Sequence, residues 1–431
     1  MKNKLLLIFT ACFLIAATFV LGAFSSSFTN GVGVPWLKVL ANKLPKEIAR
    51  DLNIDFSYPR SIQSSMFTFN TSHVFPERGI FQIAAKDEGQ VFAVERNNGD
   101  LYLWDPEIGL VTKVANLFNL VSTGPTKKLL VMDLHWSFNK LYLSVAIPNE
   151  DESCESLKAF EFSLKNQSIS DVYEFFKSPC MEDRSNPGMW AGRFTNSSEN
   201  LYMSVGEQRF DRSGFPKNGD VIKAEILKRD SVFGKVLKFS SKLSDYEIYS
   251  AGHRNAQGLY YSIDSNRLYE SEHGSLGGDE INILENGIDY GWPEVAYGRA
   301  YGWLFASGEK NPDTVPGTEF NSVLKEKYGF VRGTHPKYAK PLLSWYPSVA
   351  VGALKQVSNT SVLTEWRSSL LVATFADKGM HRIEMLNNRV VLDEQIDMGG
   401  RVRDFEITNS GMLFIAYDEG NLIYLKPKKM P

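Results

Sequence analysis

The sequence predicts an all-β fold, a six-bladed β-propeller with inserted loops, preceded by an N-terminal signal or anchor segment. Six short strings share one pattern, in which Asn, Ser or Gly accompanies a run of β-branched, aromatic and leucine residues. They read GQVFAVERNNGDLYLWD, FNKLYLSVA, SENLYMSVG, SNRLYESEHG, RSSLLVATFADKG and NSGMLFIAYDEG. Helical periodicity is scarce, and each run is typical of a strand entered from a tight turn. Repeated sheets that cannot bury both faces alone favour a ring of blades over a β-sandwich, whose strands need not repeat one another.

The composition is that of a globular protein with one large domain or two ordinary ones. The chain has 431 residues, of which 43% are hydrophobic and 23% charged, and its formal net charge is -3. This charge gives no general attraction for a phosphate backbone, and the sequence has no Lys/Arg-rich arm with interleaved aromatic residues. We therefore expect no nucleic-acid partner.

Residues 1–24 are the predicted signal peptide or membrane anchor. Lys2 and Lys4 precede an uncharged, mostly apolar stretch over residues 5–24, which is typical of an export signal. Cleavage before Ala23 would release the chain, whereas the uncleaved stretch would cross about 30 Å of hydrocarbon. We expect an exported protein, periplasmic or extracellular, that is either free or anchored in the membrane by residues 5–24.

The remaining chain divides into a lead-in segment over residues 25–75 and a propeller over residues 76–427. In the lead-in, residues 36–52 predict an amphipathic helix that is interrupted at Pro45. Residues 291–346 are rich in Gly, Tyr, Trp and Pro, and we expect them to run over one face, where binding residues tend to collect. Cys154 and Cys180 form one disulfide in an oxidising compartment or remain two buried thiols, and the sequence leaves both alternatives open.

The most specific part of the sequence is one unbroken stretch over residues 251–295. It reads AGHRNAQGLYYSIDSNRLYESEHGSLGGDEINILENGIDYGWPEV. Its Gly-His-Arg-Asn loop, Glu-x-Gly turn, Asp-Glu-Ile-Asn strand and Tyr-Gly-Trp-Pro segment follow one another in an order that resembles the soluble pyrroloquinoline quinone (PQQ)-dependent sugar dehydrogenases, the glucose/sorbosone dehydrogenase family. The similarity extends over about residues 75–427. It implies a six-bladed propeller, in agreement with the repeats.

The resemblance implies PQQ and calcium as cofactors and a small sugar as substrate. Arg254 and Asn255 match positions that face the reactive quinone carbonyl and polarise it. Arg401 and Arg403 match a pair that binds cofactor carboxylates, and their alternate spacing points both side chains to one side of a strand. The other implied cofactor contacts are Gln208, Tyr346, Ser348 and Lys378.

The resemblance also implies two calcium sites. The backbone carbonyls of Gly274 and Ser275 match a turn that holds calcium against the cofactor. Asp279, Glu280 and Tyr290 match a second, structural calcium, and paired carboxylates beside a glycine turn suit this hard cation. Without the resemblance, Asp279 and Glu280 are equally typical of a solvated turn. Arg401 and Arg403 are then typical of side chains that extend from a blade edge into water.

The position of the catalytic base departs from the family pattern. Met189 stands where relatives carry the histidine that removes the proton from the sugar hydroxyl. A thioether takes up no proton at neutral pH, so general-base catalysis worth about 10²- to 10⁴-fold is missing at that position. An acidic residue, a glutamine and a lysine are replaced as well, by Gly188, Thr126 and Ala376. Candidate substitutes for the base are His253, His273 and Glu207, although His253 is also typical of a hydrogen-bonded core histidine.

Two functions fit these observations. One is an exported PQQ- and calcium-dependent dehydrogenase that oxidises a sugar hydroxyl by hydride transfer to the quinone. The other is a catalytically inactive propeller that binds a sugar or a protein partner, and the changes at Thr126 and Ala376 predict weak quinone binding. A calcium-dependent lactonase is disfavoured, because the sequence offers no set of carboxylate and amide ligands from different blades. The sequence predicts neither the particular sugar, nor the electron acceptor, nor the oligomeric state.

Overall fold

A computed structural model describes residue 59 and residues 61–122, 129–149, 153–181, 189–207, 228–240, 242–275, 277–298 and 331–429. The chain splits into two compact units, Met1–Phe56 and Ser57–Pro431, and all described residues belong to the second. The predicted signal or anchor segment and the predicted helix over residues 36–52 lie outside the described residues. Among the described helices, none is long and apolar enough to cross a membrane.

Strands dominate the second unit. The first two are β1 (Ser61–Gln63) and β2 (Phe67–Val74). The first sheet contains β3 (Phe81–Ala85), β4 (Val91–Glu95), β5 (Asp100–Asp105) and β6 (Leu110–Asn116), and the short helix α1 (Phe118–Val121) follows it. The second contains β7 (Leu130–Ser137), β8 (Lys140–Pro148), β9 (Glu155–Lys165) and β10 (Ser168–Lys177). The third contains β11 (Ala191–Asn196), β12 (Leu201–Val205), β13 (Lys235–Phe239) and β14 (Tyr246–Ala251).

The second half of the ring repeats this arrangement with one insertion. The fourth sheet contains β15 (Ala256–Ser262), β16 (Arg267–Glu272), β17 (Asp279–Leu284) and, after the small parallel pair β18 (Val295–Ala296) and β19 (Val331–Arg332), β20 (Leu343–Trp345). The fifth contains β21 (Val351–Gln356), the 3₁₀ turn Thr364–Trp366, β22 (Leu370–Thr374), β23 (Gly379–Leu386) and β24 (Arg389–Asp397). The last strands are β25 (Val402–Ile407), β26 (Leu413–Tyr417) and β27 (Leu422–Lys429).

The sixth sheet joins the two ends of the described chain. Its order is β1-β2-β27-β26-β25, with β2 antiparallel to β27. The first strands of neighbouring sheets, β3, β7, β11, β15, β21 and β25, contact one another in turn around the ring. The predicted six-bladed β-propeller is therefore confirmed. Its sixth blade includes β1 and β2, which lie in the segment that the sequence suggested as a lead-in. The sequence did not reveal these strands, because their alternation of apolar and polar residues is too short to stand out.

Tight turns explain why these strings form hairpins. In the second blade, Phe138 and Asn139 join β7 to β8 with φ angles of 52° and 57°. Two consecutive residues with positive φ match the right-handed twist of the flanking strands. Asn266, with φ of 53°, occupies the equivalent turn between β15 and β16. Asn139 and Asn266, which introduce two of the sequence repeats, therefore act as hairpin residues.

Apolar side chains fill the space between adjacent blades. Between the fifth and sixth blades, Trp366 packs against Phe69, with ring centroids 5.2 Å apart, and against Phe67 at 5.7 Å. Phe405 and Leu371 are fully buried in the same cluster. Packing of this kind between sheets is what makes the ring stable, since no blade covers its own faces.

A disulfide links Cys154 to Cys180 across a separation of 26 residues. It joins the chain before β9 to the chain after β10, the two outer strands of the second blade. Of the two alternatives that the sequence left open, the structure has the disulfide.

Candidate functional site

The residues of the candidate site lie where inner strands begin and where their neighbours end. Arg254 and Asn255 directly precede β15, and His273 and Gly274 directly follow β16. Because Ala256 pairs with Glu272 in this antiparallel pair, the two segments meet at one edge of the fourth blade. Met189 lies just before β11 in the third blade. The fold thus brings together residues that are distant in sequence.

Arg254 is the centre of this group. Its side chain is buried, and Nη1 donates to the carbonyl oxygens of His273 at 2.8 Å and Gly274 at 2.7 Å. Its guanidinium lies 5.3 Å from the ring centroid of Trp292, a cation–π distance. The Glu272 carboxylate accepts a hydrogen bond from the Arg254 backbone N–H at 2.8 Å. Burial and the neighbouring Glu270 raise the pKa of Glu272 to about 8.

Met189 contacts this arginine directly. Its sulfur lies 3.7 Å from Arg254 Nη2, and the methionine is buried. The residue that the resemblance places at the catalytic base therefore faces the guanidinium that the resemblance assigns to the quinone carbonyl. A thioether is a weak acceptor and carries no titratable proton, so this contact supplies packing and no general base.

The late arginine pair lies against Phe375, which follows β22. The guanidinium carbons of Arg403 and Arg401 are 4.4 and 5.3 Å from the centroid of this ring. Arg403 also donates to Asp418 Oδ1 from Nε at 2.8 Å and from Nη2 at 2.6 Å. Burial, together with neighbouring arginines, lowers the pKa of Arg403 despite this carboxylate.

Phe375 connects the two groups of residues. Its ring centroid lies 6.3 Å from that of His273, whose backbone carbonyl accepts from Arg254. A line of contacts therefore runs from Arg254 through His273 and Phe375 to Arg403. The three groups that the sequence expected around one centre, the arginine, the turn oxygens and the arginine pair, lie at the same end of the propeller.

The other residues predicted to contact the cofactor differ in how far they are buried. Asn255 is buried, and its side-chain oxygen accepts from Gln257 Nε2 at 2.9 Å. Tyr346 is half exposed, with the Arg332 guanidinium 4.7 Å from its ring centroid. Lys378 is exposed in the turn between β22 and β23. Gln208 lies outside the described residues, as do Thr126 and Gly188.

The predicted calcium turn is held by Asp279. Its Oδ1 accepts from the Gly274 backbone N–H at 2.9 Å, and its Oδ2 accepts from Ser348 Oγ at 2.5 Å and Ala350 N at 2.6 Å. A Cβ on residue 274 would lie 2.2 Å from the Gly277 carbonyl oxygen, so the turn requires glycine there. Ser275 is buried in the same turn. Asp279 and Ser348 therefore organise the turn in this structure, and both carboxylate oxygens of Asp279 already accept protein hydrogen bonds.

Behind the turn lies a buried acidic group of Glu270, Glu272 and Glu280, of which the sequence had singled out only Glu280 as a candidate ligand. Glu272 pairs with Glu280 across β16 and β17, and Glu270 pairs with Asn282. Burial, followed by repulsion from Glu272 and Glu270, raises the pKa of Glu280 well above its ordinary value. Tyr290, the third residue predicted for the structural calcium, donates its hydroxyl to the Ile283 carbonyl at 2.6 Å.

The three candidate bases differ in their surroundings. His253 Nε2 lies 2.8 Å from Ser250 Oγ and Nδ1 lies 2.9 Å from Glu270 Oε2, so the buried ring has two polar neighbours. Burial disfavours its charged form, but Glu270 outweighs burial and the pKa of His253 is raised. Burial lowers the pKa of His273 to about 4, which makes it a weak proton acceptor at neutral pH. Glu207 is buried beside the Arg254 backbone, whose carbonyl accepts its N–H at 2.9 Å.

Sequence reasoning missed a second buried guanidinium network. Arg193 in β11 contacts Asp133 at 3.0 Å, Asp404 at 2.9 Å and Gln82 at 2.8 Å. These partners belong to the second, sixth and first blades. The arginine therefore ties four blades together, and its position within an apparent core strand gave no signal of this role.

The end of the propeller that carries Arg254, Arg401 and Arg403 is called the arginine-lined end. A large cavity lies apart from it, beside the third and fourth blades. Its volume is about 1050 Å³, and it is lined by Tyr202, Tyr249, Tyr261, Tyr290 and Tyr338, among others. Of the predicted site residues that the structure describes, only Tyr290 contributes to its walls. The convergent charged groups lie at the arginine-lined end, which is therefore the candidate site.

Comparisons with known proteins show the family of this chain. A family model described as Glucose / Sorbosone dehydrogenase matches residues 78–424. The chain belongs to the glucose/sorbosone dehydrogenase family. The match covers the six blades except β1, β2 and the last residues of β27.

Individual members show the extent of the likeness. The chain is 33% identical over 186 residues to "Aldose sugar dehydrogenase YliI" of Escherichia coli (42% of this chain, 44% of that protein). It is 25% identical over 402 residues to "Quinoprotein glucose dehydrogenase B" of Acinetobacter calcoaceticus (78% of this chain, 80% of that protein). The chain spans about half the length of the E. coli relative and of a further curated relative. The apo structure of the soluble E. coli aldose sugar dehydrogenase matches 84% of this chain and 99% of its own at 20% identity and a TM-score of 0.66, which shows the shared fold.

Proposed function

We propose that this chain binds PQQ at the arginine-lined end of the propeller and oxidises a sugar hydroxyl there at a low rate. The supporting observation is the convergence of Arg254, the Gly274 turn and the Arg401–Arg403 pair through His273 and Phe375. When bound, the quinone supplies an electrophilic carbonyl that accepts hydride, and it carries three carboxylates that need cations. The sugar is a proposal that follows from the family.

The residues present fit a polycarboxylate. Arg401 is half exposed, and its Nη2 lies 3.6 Å from Asp418, a loose pair that leaves donors toward solvent. Arg403 sits beside it on the Phe375 ring, which offers a flat apolar surface next to two guanidinium groups. Arginine forks bind carboxylates through paired hydrogen bonds. Arg254, in the fourth blade, would then orient the quinone carbonyl, while Arg401 and Arg403, in the sixth blade, would hold the carboxylates.

Calcium fits with one condition. The Gly274 carbonyl accepts from the Arg254 guanidinium at 2.7 Å, and a divalent cation at the same oxygen would be repelled by that charge. We therefore propose that calcium binds at Gly274 and Ser275 only after Arg254 has turned away from this oxygen. The second proposed calcium, at Asp279, Glu280 and Tyr290, would have to displace hydrogen bonds that Asp279 and the Tyr290 hydroxyl make in this structure.

One observation favours the alternative, a propeller that binds ligands without catalysis. Met189 is buried against Arg254 at the position of the usual base, and His273 has a pKa of about 4. The chain would thus keep groups that bind and orient a ligand, while Met189 and His273 supply no proton acceptor suited to neutral pH. In this alternative the bound ligand would be a sugar or a protein partner.

Export is part of the proposal. The Cys154–Cys180 disulfide supports it, because disulfides persist in oxidising compartments. Residues 5–24 would direct the chain to the periplasm or the exterior, and either a signal peptidase would remove them or they would anchor the protein.

Titration of the full chain with PQQ tests the proposal. We expect a saturable change in quinone absorbance that is stronger with calcium than with a chelator, followed by slow dye reduction on addition of aldoses. A quinone complex without dye reduction by any aldose supports the non-catalytic alternative. No saturable binding with or without calcium refutes the quinone assignment.

A further inference from the structure

Arg96 is a guanidinium at the candidate site that neither the repeats nor the family resemblance singled out. It follows β4 and lies in the turn to β5. Its backbone N–H donates to the Ile80 carbonyl at 2.7 Å, and its own carbonyl accepts from Val131 N at 3.0 Å. The residue is therefore fixed between the first and second blades, at the end where β3 and β7 begin.

The same contacts place Arg96 near the late arginine pair. Gly79, the residue before Ile80, donates its N–H to Gly420 at 3.2 Å, and this turn of the sixth blade also carries Asp418. Asp418 is the carboxylate that accepts hydrogen bonds from Arg403. Two adjoining turns from the first and sixth blades thus bring Arg96 toward Arg403.

The side chain of Arg96 is half-buried and its hydrogen bonds go to neutral atoms. Nε donates to the Val131 carbonyl at 2.9 Å, and Nη2 lies 3.9 Å from the Met132 sulfur. Among the described residues, no carboxylate oxygen lies within 4.0 Å of its guanidinium. A guanidinium has five N–H donors, so these contacts leave donors for a further partner.

The nearest carboxylates are already engaged. Glu95 Oε2 accepts from the backbone N–H groups of Asn97 and Asn98 at 2.8 and 2.7 Å. Asp418 is shared by the late arginine pair. Burial, followed by the positive charge of Arg403, lowers the pKa of Arg96 to about 9, although Asp418 and Glu95 act in the opposite direction.

Arg193 provides an internal comparison. This arginine has carboxylates on both sides, at 3.0 and 2.9 Å, and nearby acidic residues outweigh burial so that its pKa is raised. The Arg193 guanidinium is therefore matched by acids. Arg96 lacks such a match, although it points its charge toward the same end of the ring.

We propose that Arg96 forms, together with Arg401 and Arg403, an anion site that binds a carboxylate of the ligand. A ligand carboxylate would complete the missing ion pair and stack beside the Phe375 ring. Two sources share this chemistry, a carboxylate of the quinone and the carboxylate of an acidic sugar. The first source rests on the proposed function, whereas the second does not require it.

The test uses the full chain with three variants. Arg96→Met removes the charge at similar length, Arg96→Lys keeps the charge without the fork, and Arg78→Met removes an exposed arginine as the matched control. One arm titrates PQQ with calcium by absorbance. The other measures binding of glucuronate and of glucose by calorimetry without quinone. Thermal unfolding of each variant establishes that it is folded.

We expect Arg96→Met to weaken carboxylate binding about tenfold or more, Arg96→Lys to weaken it less, and Arg78→Met to leave it unchanged. Weaker PQQ binding alone assigns Arg96 to the cofactor. Weaker glucuronate binding, with glucose unaffected, assigns it to an acidic sugar, and this result stands even where PQQ does not bind. If wild-type protein binds neither acid, or if Arg96→Met binds both as tightly as wild type, the anion site is refuted.

Discussion

At the scale of single residues, the contact between Met189 and Arg254 decides how the site can act. The methionine sulfur lies 3.7 Å from Nη2 of an arginine that also holds the Gly274 turn. A histidine at this position would face the same guanidinium and could take up a proton from a ligand hydroxyl. Under the proposed function, a side chain that cannot accept a proton therefore occupies the position of the base.

Restoring the base should raise activity. We expect Met189→His to increase aldose-dependent dye reduction by the PQQ-loaded protein about 10²-fold, the lower end of general-base contributions. Met189→Leu is the matched control, because it keeps an apolar side chain of similar volume and supplies no proton acceptor. Equal rates in both variants would mean that position 189 does not face the bound sugar.

His381 in the fifth blade predicts a pH-dependent stability. Its ring lies 2.5 Å from Asp393 and 2.8 Å from Asp377. Burial disfavours the charged ring, but hydrogen bonds to both carboxylates outweigh burial and the pKa of His381 is raised. A raised folded-state pKa stabilises the fold fully below the ordinary value of about 6.5, and this contribution is lost as the pH rises through the folded-state pKa.

We therefore expect His381→Asn to lower the melting temperature more at pH 5.5 than at pH 9. Thermal unfolding at both pH values, with wild type measured in parallel, gives the difference. The exposed Arg389→Ala in the same blade is the control and should show no such pH dependence. A larger loss at pH 9 would contradict the inferred charge of His381.

At the scale of elements, closure of the ring depends on β2. This strand pairs with β27 from Phe67 opposite Lys429 to Val74 opposite Ile423, and it carries Phe69 into the cluster around Trp366. A strand from one end of the described chain thus completes the sheet that the other end begins. Loss of its packing should therefore loosen the whole ring.

We expect Phe69→Ala to lower the free energy of unfolding by about 3 kcal/mol or more, because it opens a cavity beside Trp366. Asn70→Ala, at the next and exposed position of β2, should change it by less than about 0.5 kcal/mol. Urea denaturation followed by tryptophan fluorescence measures both. Similar values for the two variants would show that β2 contributes little to closure.

At the scale of the whole molecule, the disulfide restrains the second blade in the unfolded chain as well as in the folded one. Its loop of 26 residues predicts that Cys154→Ser with Cys180→Ser costs about 3 kcal/mol of stability. Thermal unfolding of this double variant against wild type gives the cost. Thiol titration of the denatured protein checks the bond, since the thiol count should rise by two on reduction. An unchanged count would refute the disulfide.

Much of the fold could be predicted from sequence because its units repeat. Asn139 and Asn266 mark hairpin turns by a local backbone preference, and the apolar runs after them mark strands by their side chains. The sixth blade was harder to delimit, since β2 reveals its role only through pairing with β27. That pairing joins segments more than 300 residues apart, and no local pattern records it.

For the site, motifs marked the residues and the tertiary structure decided their relations. The stretch over residues 251–295 identified Arg254 and the Gly274 turn, and the structure places them in contact. It also shows Asp279 as the organiser of that turn. Arg96 had no motif, because an arginine in a hairpin turn is ordinary until its neighbours are known.

By itself, the sequence determined the all-β class, the number of blades and the family, since these follow from turn chemistry, side-chain alternation and an ordered motif. Only the tertiary structure decided that Met189 lies on Arg254, that Cys154 joins Cys180, and that Arg96 has no carboxylate beside it among the described residues. The physical reason is the sequence distance over which each interaction acts. Strand and turn preferences act over a few residues, whereas distances between charges depend on how six sheets close into a ring.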